Sequence, residues 1–431
     1  MLSLEPNIFF VDDKRNEVEE IVEIYRNQGY GVKFFNADLT FGDDVPRPNT
    51  YKDAILVFLD IYYTPDRILD EEKCSEWING IVNQNSFFIL VIWSQDTDEA
   101  GKVINKIMEN NRFPFVTIIK QKSDYQDGEN HWDFKKLHAD IQYKLDERPE
   151  LIELASWKRS IKEASNLIIG HLAKNENPDD FTKRLQKIIL GHGGRSMISE
   201  KELTGKQEVL FDALDSVLIS NSKNTRPNIE IIKKNIDALY KIEEGLNSEI
   251  DSKLNSWFHF KFHPQPIDQS KITPGLISKI LSEDVVKEYG LLDDKNVKEF
   301  LKVQIENQQT KIEDICLLLT RPCDIAQNKF GKNLKLLSGV KISNPVRKDN
   351  ARKEFKTGHK YDSIKLYDHL CFAEEDNDVA LLFDYRYSFS ISKEKFINDF
   401  DKVNTFNKDL LSEIQVEYSA YSSRLGITQI I

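Results

Sequence analysis

Short apolar runs, four of the five closed by a polar residue, punctuate the first 120 positions: NIFFVDD at 7–13, GVKFF at 31–35, DAILVFLD at 53–60, FFILVIWS at 87–94 and FVTIIK at 115–120. Runs this short, rich in β-branched and aromatic residues, predict buried strands, the last of them spanning Phe115 to Ile119. Between them Val18, Ile21, Val22 and Tyr25, then Trp77, Ile78, Ile81 and Val82, then Ala100, Val103, Ile104, Ile107 and Met108, then Phe134, Leu137, Ile141 and Leu145 recur at helical spacing. The stretch before Thr50, with Gly42, Pro46 and Pro48, predicts a loop in place of a helix. Five strands with interleaved helices predict a doubly wound α/β domain over residues 1–148.

The period then changes. From 149 to 255 apolar residues fall in 3.6-residue stripes: Leu154, Trp157, Ile161, Ala164 and Ile168; Phe181, Leu185, Ile188 and Ile189; Phe211, Leu214, Val217 and Leu218; Ile232, Ile236, Leu239, Ile242 and Leu246. These predict a helical connector or bundle, with GHGGRSM at 191–197 as an interhelical turn and a possible dimerising seam along the stripes. From 256 to 431 the pattern predicts an α+β domain. WFHFKFH (257–263) and FDYRYSFSI (383–391) alternate, the latter placing Phe383, Tyr385, Tyr387, Phe389 and Ile391 on one face. ICLLLT (315–320) reads as a buried strand, Leu410, Leu411, Ile414 and Tyr418 as a late helix, and GITQII as a closing strand.

Composition narrows the function classes. The 431 residues are 40% hydrophobic and 30% charged, which suits globular domains with their own cores. A net charge of −12 excludes a chain that coats nucleic acid with its whole surface. Ten Lys or Arg between Lys329 and Lys360 face only Asp349 and Glu354, so a local nucleic-acid contact stays open beside the simpler reading as a solvated loop. Cys74, Cys316, Cys323 and Cys371 form no CxxC pair and no secretory h-region opens the chain, pointing to a reducing cytoplasm. No apolar run approaches the length of a transmembrane helix, so no membrane contact is expected.

The chemistry concentrates where the strands end, because ligands of open parallel sheets bind outside the carboxyl ends of the strands. Asp12 and Asp13 end the first strand, Asp60 the third, Ser94 the fourth, and Lys120 the fifth, with Lys122 as an alternative two residues on. Three such carboxylates make a hard oxygen site suited to Mg²⁺. A carboxylate beside that ion can attack a phosphoryl group, and Asp60 is the best nucleophile candidate.

VDD (11–13), LD (59–60), WS (93–94) and the strand-ending lysine together resemble the receiver domain of two-component response regulators, over about residues 5–145. That resemblance implies Asp60 as phosphoacceptor, Asp12 and Asp13 as the metal-binding pair, and the Tyr62 backbone carbonyl as a further Mg²⁺ ligand. It implies Ser94 as the switch hydroxyl and Lys120 as the phosphate-binding lysine, with a histidine kinase or phosphotransfer protein as donor. Thr117 stands at the family's aromatic switch position and Gln121 where proline usually follows the lysine, which leaves open a pseudo-receiver adaptor, as in a stress or phage-defence system.

Two further candidates are weaker. Cys323 beside Asp324 in LLLTRPCDIAQNK (317–329) would serve as an enzyme nucleophile only with a histidine such as His359 or His369 brought close, and a buried Cys with a capping Asp is the simpler account. His259 and His263 on a strand would lie about 13 Å apart, too far to share a metal.

Overall fold

The computed structural model describes residues 6–38, 45–48, 50–64, 66–128, 131–173, 178–201, 203–225, 239–242, 251–263, 266–295, 297, 310–321, 325, 332–345, 363–372 and 378–423. The chain divides into two compact units, Met1–Lys158 with Pro227–Lys241, and Arg159–Arg226 with Ile242–Ile431.

The first unit is built on β1 (Ile8–Asp12), β2 (Val32–Asn36), β3 (Leu56–Leu59), β4 (Ile89–Ser94) and β5 (Val116–Gln121), all parallel in the order β2-β1-β3-β4-β5. Between them run α1 (Glu19–Asn27), α2 (Glu71–Ile81) and α3 (Ala100–Glu109), and α4 (Phe134–Asp146) follows β5. Strand alternation splits the apolar residues between two faces. Phe9, Val11, Val57, Leu59, Leu90 and Ile92 pack against Trp77 and Ile78 of α2 and Val103 and Ile107 of α3. Phe10, Leu56, Phe58, Val91 and Trp93 pack against Ile21 and Tyr25 of α1 and Leu137 and Ile141 of α4. Burial on both faces is why these strands read as unbroken apolar runs. Asp70 and Asp133 start α2 and α4 sharply, each accepting from a backbone N–H three residues on, Lys73 and Lys136, at 2.9 Å.

The helical block follows as α5 (Pro149–Ala173), α6 (Pro178–Gly193), α7 (Ser196–Ser199) and α8 (Leu203–Ser222), and the division between the two units falls inside α5. Its first stripe is not a continuous core: Ala164 is buried, whereas Leu154 and Trp157 are exposed. The fourth stripe lies mostly outside the described residues.

The second unit carries α9 (Ser252–His259), β6 (Leu276–Ile280), α10 (Glu283–Tyr289), β7 (Lys311–Leu318), β8 (Asn333–Ser343), β9 (Ile364–Leu370), β10 (Val379–Ser392), α11 (Lys393–Asn398), β11 (Phe400–Thr405) and α12 (Lys408–Ser422). Its six strands form an antiparallel sheet in the order β11-β6-β7-β8-β10-β9. Two sequence expectations fail here. WFHFKFH is not a strand, because Asp251 caps a helix through Leu254 N–H at 2.9 Å and that helix runs to His259. The FDYRYSFSI face is broken by an irregularity between Phe383 and Ser388: Phe383 and Tyr385 join one core, Phe389 and Ile391 the core on the other side. GITQII lies outside the described residues. Among the described residues no helix is long and apolar enough to cross a membrane.

Candidate functional site

One strand-end rule places the members that the sequence picks out. Side chains within a strand stand perpendicular to the sheet, so only the last strand residue or the one after it can lean over the carboxyl edge. Asp12 and Ser94 are last residues of β1 and β4, while Asp13 and Asp60 follow β1 and β3 by one. In the register of β4 with β5, Ser94 lies opposite Gln121. The residue that reaches the edge from β5 is therefore Lys122, which opens the 3-10 turn Lys122–Tyr125.

Lys120 is thus displaced from its expected place. The strand continues two residues beyond Ile119, so Lys120 remains inside β5. Its ammonium pairs with Asp140 of α4 at 3.3 Å and sits over the Tyr125 ring, on the face of the sheet. Lys122 takes the position at the acids instead. Its side chain is 0% exposed, and its Nζ donates to Asp12 Oδ2 at 2.9 Å, Glu17 Oε2 at 2.7 Å and Asp60 Oδ2 at 2.7 Å. Burial alone would lower this ammonium's pKa, but Asp12, Asp60 and Glu17 outweigh it and hold it above the ordinary lysine range.

Asp60 is only 4% exposed and both of its oxygens are engaged. Oδ1 accepts from Ser94 Oγ at 2.6 Å, Ile61 N–H at 2.7 Å and Tyr62 N–H at 3.2 Å. Asp12 Oδ1 accepts from Lys14 N–H at 2.8 Å. Burial pushes the Asp12 carboxyl up to about 8, with Lys122 opposing and Asp60 adding to the rise. Burial and then Asp60 also raise Asp13, which is only partly covered. Asp12, Asp13 and Asp60 each present an oxygen within 4.8 Å of the others, so these three residues could hold a metal ion. Small hard cations such as Mg²⁺ suit a donor set of this kind.

Glu17 is the member that sequence reasoning missed. It stands on the 3-10 turn Arg15–Glu17, is buried, and has Lys14 Nζ 3.3 Å away as a second cation. Burial raises its carboxyl, but Lys122 and Lys14 prevail and leave it below the usual range. No apolar period marks such a turn; the available signal was an acid four residues past Asp13 on the same crossover.

Among the described residues, none of the other sequence candidates joins this site. Cys323, Asp324 and His359 lie outside the described residues, as does most of the basic stretch 329–360. Of its described members, Lys335 lies over the Tyr418 ring and Lys341 over that of Phe372. His259 Nδ1 is 2.6 Å from its own helix's Asn255 carbonyl oxygen, and His263 is exposed. Asp368, His369 and Asp378 come together in the second unit. Compared with known protein families, with curated proteins and with solved structures, the chain has no match.

Proposed function

We propose that the first unit is a receiver-like phosphoacceptor that takes a phosphoryl group onto Asp60, with Mg²⁺, from a histidine kinase or phosphotransfer protein, and so controls the second unit as an output or interaction domain. One observation carries this reading: Ser94 and Lys122 each donate to a different oxygen of Asp60, while Asp12 and Asp13 bring two further carboxylates to the same point. The strand order supports it, since a 2-1-3-4-5 sheet gathers its ligand site at these carboxyl ends.

An Asp60 oxygen would attack phosphorus while the bond from phosphorus to the donor's imidazole nitrogen breaks. The electron pair returns to that nitrogen, and the product is an aspartyl acyl phosphate. Mg²⁺, held by Asp12, Asp13, Asp60 and the Tyr62 backbone carbonyl, would neutralise charge on the phosphoryl oxygens. Ser94 Oγ–H and the Lys122 ammonium are the chain's own donors to those oxygens. The reading places the protein in the cytoplasm, where phosphohistidine donors are charged from ATP. It also admits a homodimer through the helical region, where Leu154 and Trp157 are exposed; sedimentation of the full chain reads that directly.

The test is to treat the full chain with acetyl phosphate, or with beryllofluoride and Mg²⁺, and to follow the adduct by intact mass or fluorine NMR. A Mg²⁺-dependent adduct that disappears in Asp60→Asn is expected, and its absence from the wild-type protein refutes phosphoacceptance. The near-complete burial of Asp60 favours a second reading, a pseudo-receiver adaptor that binds a partner without cycling phosphate. The same experiment separates the two.

A further inference from the structure

We infer that Glu17 is the group that phosphorylation displaces: its carboxylate holds the Lys122 hydrogen that a phosphoryl oxygen on Asp60 would take. This rests on the phosphoacceptor reading above. An ammonium has three N–H donors. Lys122, wholly buried, directs them at Asp12, Glu17 and Asp60 at 2.9, 2.7 and 2.7 Å. A phosphoryl group on Asp60 adds oxygens that need a donor, and Lys122 can serve them only by releasing one of its present acceptors.

The three acceptors are not equally free to leave. Asp60 is the group being modified. Asp12 is fixed at the end of β1, almost fully buried, tied by Lys14 N–H at 2.8 Å, and part of the carboxylate set that could hold the metal. Glu17 stands on a single turn, lies outside that set, and has the exposed Lys14 ammonium 3.3 Å away to receive it. It can let go of Lys122 without stranding its charge.

The hydroxyl side of the site points to the same conclusion. Ser94 already donates to Asp60 at 2.6 Å, so it has little distance to travel when the acceptor is modified. Counting back three residues from Lys122 reaches Ile119, an exposed aliphatic residue with no aromatic rotamer to couple to that hydroxyl. The movement then falls on the β1–α1 turn. Glu17 N–H bonds to the Lys14 carbonyl at 3.0 Å and Val18 N–H to that of Arg15 at 3.1 Å. Val18 is also the N-cap residue of α1, whose Val22 N–H reaches back to it at 3.0 Å. Releasing Glu17 would loosen this turn and re-aim the exposed Arg15–Glu19 pair at the start of α1.

The experiment titrates beryllofluoride with Mg²⁺ into the full chain as wild type and as Glu17→Gln, each with and without Asp60→Asn, and follows amide hydrogen exchange over residues 14–22. Glu17→Gln keeps the shape but weakens the hold on Lys122, so it is expected to bind beryllofluoride roughly 10- to 100-fold more tightly, the value of one charge-assisted hydrogen bond. On binding, the wild type is expected to gain exchange over residues 14–18, and Glu17→Gln much less. Should Glu17→Gln fail to fold, Glu17→Asp, which keeps the charge but shortens the reach, is judged by the same criterion. Asp60-dependent binding of equal or lower affinity in the variant overturns the role of Glu17 and leaves phosphoacceptance standing. Absence of Asp60-dependent binding in wild type and variant alike overturns both.

Discussion

Replacing Lys122 by methionine tests the site more severely than any change to the acids, because a single nitrogen carries three of its contacts. The substitution removes hydrogen bonds of 2.9, 2.7 and 2.7 Å from a side chain with no exposure and leaves Asp12, Glu17 and Asp60 facing one another. Removing one partner of a buried ion pair costs about 3–5 kcal/mol. The three contacts do not sum, because Asp12, already pushed up to about 8 by burial, takes a proton readily at neutral pH and relieves part of the repulsion. Lys120→Met is the internal control: its 3.3 Å pair with Asp140 is partly exposed on both sides. Such a pair contributes at most about 1 kcal/mol. The assay is urea unfolding of the full chain read by tryptophan emission, to which Trp77, Trp93 and Trp132 report from the interior of the first unit. A difference of about 2–4 kcal/mol between the variants is expected, a factor of roughly 30 or more in the unfolding constant. Equal losses, or a larger loss from Lys120→Met, would refute the placement of Lys122 among the acids.

Ser94→Ala removes the 2.6 Å donor to Asp60 Oδ1 but leaves the Ile61 and Tyr62 N–H groups, so the same unfolding assay is expected to show a loss of about 1–2 kcal/mol. Mg²⁺ is expected to raise the thermal midpoint of the wild-type first unit, and Asp13→Asn to reduce that gain by taking one of three clustered carboxylates away. A shift that is unchanged in Asp13→Asn would place the ion elsewhere. Gly339→Ala would put a Cβ 2.5 Å from Phe383 Cδ1 and 2.6 Å from the Leu382 carbonyl oxygen. Because β10 lies directly against this residue of β8, unfolding of the second unit is expected to show at least about 1–3 kcal/mol of destabilisation.

The fold of the first unit was legible because parallel strands buried on both faces announce themselves as apolar runs and the helices between them carry a clean period. The site was legible for the acids and the hydroxyl, since Asp12, Asp13, Asp60 and Ser94 each directly end or follow such a run. The lysine was not. The apolar part of β5 stops at Ile119, but the ladder to β4 continues through Lys120 and Gln121, and polar residues at a strand end leave no hydropathy signal. The same limit explains WFHFKFH, where one capping bond from Asp251 outweighs an aromatic alternation, and the divided face of β10, where an irregularity puts Phe389 and Ile391 on the side opposite Phe383 and Tyr385. Local patterns report which residues prefer burial; they do not report where pairing stops or slips.

Three carboxylates around one buried ammonium contribute little to holding a sheet together. Well-packed apolar residues of similar volume would serve stability as well or better. The first unit already has an apolar core on each face of its sheet, filled by Phe9, Trp77 and Ile92 on one side and Phe10, Phe58 and Trp93 on the other. The cluster at the carboxyl edge is therefore better explained by chemistry than by packing. Its charge points the same way: Asp12, Asp13, Glu17 and Asp60 gather around one fully buried lysine, and burial first, then the neighbouring Asp60, raises Asp12 and Asp13 above ordinary carboxylates. A site short of positive charge attracts a divalent cation. If such an ion neutralised Asp12 and Asp13, Ser94 and Lys122 would be the donors left for the phosphoryl group proposed above, and Glu17 the carboxylate competing for Lys122.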